Sequence, residues 1–121
     1  MPPSGNDEVQ NAQSFPPLRE LDETTFQDAI EEDLPVLVDF WADWCGTCRL
    51  IAPVVGAVVG AESARMSGGK VNVGLYPAIA KRYAVASLPT LILFQNGVPT
   101  LRLSGHQTRA VLRSTLASIL G

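Results

Sequence analysis

The chain has 121 residues, about 46% of them apolar, which suits one globular domain with its own core. Nine basic against twelve acidic residues leave a net charge of −3, so the sequence carries no basic footprint for nucleic acid and no polybasic membrane anchor. Its longer apolar runs, such as Val36-Leu37-Val38 and Leu91-Ile92-Leu93-Phe94, are strand-sized and too short to span a bilayer.

Residues 1–17 hold four of the nine prolines and little periodic apolar content, and read as a flexible N-terminal extension. They lack the charged start and apolar segment of a secretory signal, so a cytoplasmic, reducing setting is expected, an organelle remaining open. The domain proper is expected over 18–121. Leu18 to Leu21 reads as a short first strand. Thr24 reads as a helix N-cap, with Gln27 as its capping-box partner and a helix from Thr25 to about Glu32.

Pro35 opens Val36-Leu37-Val38-Asp39-Phe40-Trp41, a continuous apolar run that suits a strand buried on both faces, broken only by Asp39. A helix is expected from near Cys45 to about Ala64, kinked at Pro53, with Gly56 and Gly60 allowing close packing. Lys70 to Val73 reads as a third strand, shortened or distorted by Gly68-Gly69, which offer no side chains to pack. Pro77 to Tyr83 reads as a helix with proline in its first turn. Thr90 to Gln95 and Thr100 to Ser104 form a hairpin across Asn96-Gly97. A final helix runs from Gln107 to Leu120, capped by Thr108, with Ala110, Val111, Ser114, Leu116, Ala117 and Leu120 near helical spacing. The order β, α, β, α, β, α, β, β, α is that of an α/β sandwich.

Two cysteines, Cys45 and Cys48, sit two residues apart. A secreted disulfide scaffold needs more cysteines at wider spacing. A structural zinc site needs about four ligands, and two Cys with one His do not close one within a single chain, although a site shared between two chains stays open. A redox dithiol is the reading that remains. A helix N-terminus favours an anion, so Cys45, at the strand-to-helix junction, is expected to have a lowered thiol pKa and to be the nucleophile. Cys48, one turn later, is then the buried resolving thiol.

The run Phe40-Trp41-Ala42-Asp43-Trp44-Cys45-Gly46-Thr47-Cys48-Arg49 resembles the thioredoxin family. So do Ile51-Ala52-Pro53, Lys81-Arg82-Tyr83, Leu88-Pro89-Thr90, Leu93-Phe94-Gln95-Asn96-Gly97 and Gly105, which extend the likeness over about residues 18 to 121. The resemblance implies a thioredoxin fold, a central mixed β-sheet of about five strands flanked by four helices. It implies a monomeric protein-disulfide reductase that needs no bound cofactor or metal beyond its redox-active Cys45–Cys48 disulfide. Its partners would be disulfide-containing targets and a thioredoxin reductase of the NADPH/flavin or ferredoxin type.

The resemblance also implies roles. Asp39 matches the acid behind the resolving cysteine, and burial would raise its pKa and fit it to take the Cys48 proton; a buried Asp bonded only to backbone or water is the alternative. Lys70 matches the lysine that accompanies it. Pro89 matches a cis-proline, and Leu88 before it pairs with substrate backbone. Trp44, Gly46, Thr47 and Gly105 would complete the substrate surface, with Trp41 a packing residue and His106 a surface residue near the groove. Thr47 stands where typical members have proline, which suggests a more oxidising pair. Gly74-Leu75-Tyr76 replaces residues that are usually polar. An oxidase or isomerase, or a thioredoxin-fold binding module with little turnover, are the alternative functions.

Overall fold

The computed structural model describes residues 18–121, so the expected N-terminal extension, 1–17, lies outside the described residues. Five strands form one mixed sheet: β1 (Arg19–Glu20), β2 (Val36–Trp41), β3 (Ser67–Asn72), β4 (Thr90–Gln95) and β5 (Val98–Ser104). Four helices cover it: α1 (Phe26–Ile30), α2 (Gly46–Ala61), α3 (Pro77–Arg82) and α4 (Arg109–Leu120). The strand order is β1-β3-β2-β4-β5, which puts β2 at the centre and the short β1 and the longer β5 at the edges. β1, β3 and β2 run parallel, while β4 and β5 pair antiparallel. This is the expected thioredoxin-like α/β architecture.

Because side chains alternate across a strand, β2 feeds two cores. Val36, Val38 and Phe40 join Phe26, Ile30, Ile79, Ile92 and Phe94 on the face covered by α1 and α3. Leu37 joins Ile51, Val55, Val58, Leu91, Leu112 and Leu116 on the face covered by α2 and α4. Asp39 shares the parity of Leu37 and therefore points toward α2. Buried positions of α2 fall at Cys48, Ile51, Val55, Val58 and Val59, the spacing of one helical stripe.

Several sequence expectations are corrected here. β3 is neither short nor distorted: it runs six residues and pairs along its length with β2. Its glycines are a packing requirement. A Cβ on Gly68 would stand 2.5 Å from Leu18 Cδ2 and 3.0 Å from Val59 Cγ1, and one on Gly69 would stand 2.7 Å from Leu21 Cδ1. The side chains that flank β1 and those of α2 occupy the space β3 leaves empty. Conversely, a Cβ on Gly56 would meet nothing within 4 Å, so that glycine serves no close packing.

At α1 the N-cap position is Thr25, whose side chain makes no cap bond, and the turn leading into the helix is held by Asp22, not by Thr24 with Gln27. Asp22 Oδ1 accepts from the backbone N–H of Thr24 and Thr25 at 2.9 and 3.0 Å, and Thr25 Oγ1 accepts from Asp22 N–H. The Thr24 hydroxyl contact, first among these bonds, holds the exposed Asp22 carboxyl below its ordinary pKa. Gln27 instead donates to Glu31 one turn on.

The remaining boundaries shift by a few residues. β1 is only Arg19–Glu20, and α2 ends at Ala61, having run on through Pro53. β5 begins at Val98 and carries a register shift opposite Leu93/Phe94, where edge position tolerates Pro99. Asn96 (φ 55°) and Gly97 (φ 82°) make the tight turn before it. Thr108 caps α4 as expected, accepting from Val111 N–H at 3.2 Å. The buried stripe of that helix is Leu112 and Leu116, whereas Val111 is exposed.

Candidate active site

The strand-to-helix junction builds the site. β2 ends at Trp41, Cys45 N–H donates to Ala42 O at 3.1 Å, and α2 begins at Gly46. Cys45 is thus the N-cap of a sixteen-residue helix, and its sulfur accepts from Cys48 N–H at 3.1 Å. The two cysteines are joined as a disulfide with Cα atoms 5.3 Å apart. Cys45 is half-buried and Cys48 is buried, because the cap lies at the helix mouth while the residue one turn on falls on the core stripe. Gly46 is exposed and Thr47 half-buried at the start of the helix.

Two cavities flank this disulfide. On the Cys45 side, a cleft of about 490 Å³ is lined by Trp44, Val73, Val85, Ala86 and Leu88 with Cys45 itself. The Leu88–Pro89 bond is cis, as the resemblance implies, and Pro89 is buried while Leu88 reaches the cleft. Gly105, with φ 85°, donates its N–H to Pro89 O at 2.9 Å and so braces the proline loop from β5's end. His106 is exposed beside it and lines neither cavity.

On the Cys48 side, a larger cavity of about 970 Å³ brings together Asp39, Trp41, Cys48 and Lys70 with small residues of α2. Asp39 is 2% exposed, and its Oδ1 has no hydrogen-bond partner among the described residues. Burial pushes its carboxyl up to about 7, with the Lys70 ammonium pulling the other way. Parallel register sets Lys70 of β3 beside Asp39 of β2 on the same face. The lysine head sits 3.6 Å from Glu20 Oε2 and 5.4 Å from the centroid of the Trp41 ring. Trp41 is therefore on the Asp39 side, half-buried, and Trp44 alone of the two tryptophans faces the Cys45 cleft.

The sequence reading missed Val73, Val85 and Ala86 as cleft residues, and Arg49 and Arg109 as lining of the second cavity. Arg49 closes the cysteine motif itself, but the others come from separate segments and carry no local motif; only their folding onto one site identifies them. Among the described residues, no group of three or more His, Cys, Asp or Glu is placed to hold a metal ion.

A family model described as Thioredoxin matches residues 17–118. The chain belongs to the thioredoxin family. It is 43% identical over 100 residues to the thioredoxin of Alicyclobacillus acidocaldarius subsp. acidocaldarius, covering 83% of this chain and 95% of that one. It is 42% identical over 90 residues to the thioredoxin of Porphyra purpurea, 74% and 84% of the two chains. It also matches the bifunctional thioredoxin reductase/thioredoxin of Mycobacterium leprae at 37% over 99 residues, 82% of this chain but 22% of that longer protein. As a member of this family it is a thiol–disulfide oxidoreductase, which reduces protein disulfides by reversible oxidation of Cys45 and Cys48.

Proposed function

We propose that Cys45 attacks the target disulfide and Cys48 resolves the intermediate, with Asp39 as proton acceptor. The observation that carries this division is the position of Cys45 as N-cap of α2, half-buried at the cleft, with Cys48 buried behind it. The helix end favours sulfur as the thiolate, which is the attacking species. In the first step the Cys45 thiolate bonds to one target sulfur and the other target sulfur leaves as a thiolate, which takes up a proton. In the second, Cys48 gives its proton to Asp39 and attacks Cys45 Sγ, so that the second target sulfur leaves and is protonated. Two electrons have passed to the target and the Cys45–Cys48 disulfide has formed.

Trp44 and Leu88 form the surface that receives the target beside Cys45, with the buried Pro89 next to Leu88 in the chain and Gly46, Thr47 and Gly105 framing the site. Lys70 tunes Asp39, and Trp41 packs behind. The chain works as a monomer in the cytoplasm, since both sulfurs and the acid come from one chain and the two-cysteine count suits a reducing setting. A thioredoxin reductase returns it to the dithiol; the relative named as a fused reductase and thioredoxin supports such a pairing.

Insulin reduction tests the assignment. The wild type should reduce insulin with turnover, Cys45→Ser should be inactive, and Cys48→Ser should trap targets as mixed disulfides through Cys45. Equal activity of the wild type and Cys45→Ser would leave only a binding role.

A further inference from the structure

Charge is spread very unevenly along the chain: all twelve acidic residues lie at or before Glu62, and seven of the nine basic ones lie after it. The two halves fold onto one another, so what matters is which cations meet a carboxylate. Among the described residues, ion pairs form at Arg19–Glu32, Arg65–Glu62, Lys70–Glu20 and Arg82–Glu23. None forms at Arg49, Arg102 or Arg109, and all three are exposed.

These three arginines flank the cysteine pair. Arg49 Nη1 donates to Asp43 O at 2.6 Å, which holds its head at the segment running on through Trp44 to Cys45. Arg102 Nη2 donates to Tyr83 O, which holds its head at the segment running on to Val85 and Ala86 of the Cys45 cleft. Arg109 lines the second cavity together with Arg49 and Cys48. A guanidinium tied to one backbone carbonyl keeps further N–H donors, in a fork that fits a carboxylate. Helix stability does not account for the placement. Arg49 is the fourth residue of α2 and Arg109 the first of α4, near positive helix ends that disfavour a cation. Against them stand Asp43, exposed on the loop before Cys45, and Asp39, buried behind Cys48. The rim of the site is therefore positive on balance, although the chain as a whole carries −3.

We propose that Arg49, Arg102 and Arg109 form a cationic rim around the Cys45–Cys48 site, which selects protein targets with acidic residues flanking the disulfide. The proposal rests on the disulfide-reductase reading and adds to it the chemical class of the target. Rim charges act mainly on the rate of association and on its salt dependence. Their reach is set by screening, about 8 Å at physiological ionic strength, so the preference does not hang on the rotamer of any one arginine.

The test follows single-turnover reduction of two synthetic peptides by the pre-reduced full chain. The peptides share one disulfide ring and differ only in flanking Glu or flanking Lys residues, and each rate is divided by that of the same peptide with dithiothreitol. At low salt the Glu peptide should react roughly tenfold faster than the Lys peptide, and the ratio should fall below about threefold in about 0.5 M NaCl. Arg49→Gln, Arg102→Gln and Arg109→Gln combined should bring the low-salt ratio below about threefold, while Arg19→Gln should leave it unchanged. Equal wild-type rates at low salt overturn the proposal, as does a triple variant slowed by the same factor on both peptides. If the triple variant does not fold, the Arg49→Gln, Arg109→Gln pair takes its place under the same criteria. A wild type that reduces neither peptide overturns the reductase reading, whereas an active wild type indifferent to flanking charge overturns the rim alone.

Discussion

Asp39 occupies a costly position, a carboxyl at 2% exposure in the central strand, with one oxygen left without a partner among the described residues. Its folded pKa, about 7, lies above the ordinary 3.8, and the sign of the consequence follows. Below about pH 4 the group is neutral whether folded or unfolded, and burial costs little. Between there and pH 7 the folded state holds a proton that the unfolded state has released, so stability falls as pH rises. Above about 7 both states are ionised and the penalty is complete, on the order of 4 kcal/mol. Asp39→Asn removes this titration. Urea unfolding of the oxidised proteins at pH 4 and pH 8 should show the variant gaining on the wild type by a few kcal/mol between the two. Parallel slopes would mean that Asp39 is not the titrating group. The same raised pKa suits it to exchange a proton with Cys48 near neutrality.

At the scale of elements, two glycines carry opposite consequences. Gly56 lies inside α2 with open space where a Cβ would stand, and glycine in a helix interior costs about 1 kcal/mol relative to alanine. Gly56→Ala should therefore stabilise by about 0.5–1 kcal/mol. Gly68 of β3 is buried against Leu18 and Val59, so Gly68→Ala overpacks that layer and should cost about 1–3 kcal/mol. Thermal unfolding of the two variants side by side checks both signs. A stabilised Gly68→Ala would show that the layer relaxes freely. Sequence periodicity treats these glycines alike, because each weakens its element; only the neighbour's side chain separates a defect from a fit. The same limit explains α4, where Val111 and Leu112 are adjacent apolar residues and only the docking angle on α2 buries the second.

Across the whole molecule, the sheet is a partition with a core on each side, and the disulfide sits at its end between two cavities. The α1/α3 side is anchored by an aromatic cluster: Phe94 meets Phe26 edge-on at 5.8 Å and Tyr83 at 5.1 Å, and Phe26 lies 5.6 Å from Tyr83. Phe94→Ala should cost about 3–5 kcal/mol, a large share of the roughly 5–15 kcal/mol typical of a domain. A guanidinium midpoint that barely moves would argue that the cluster collapses to fill the gap.

By itself the sequence determined the element order, the central strand from Val36 to Trp41, the Asn96-Gly97 hairpin and the cysteine pair at a helix mouth. These depend on interactions within a few residues, such as alternation, turn chemistry and capping, so the local string carries them. It also placed Asp39 in a buried strand, and the family resemblance set that carboxyl behind Cys48; which face of the strand meets the helix of Cys48 came with the fold. Only the tertiary structure decided that Gly68-Gly69 complete a full-length strand, that Asp22 holds the turn into α1, and that Val73, Val85 and Ala86 join Trp44 at the cleft. The strand and the cleft rest on what stands opposite in space, at sequence separations that no local pattern encodes, whereas Asp22 acts within three residues and competes with Thr24 for the same turn.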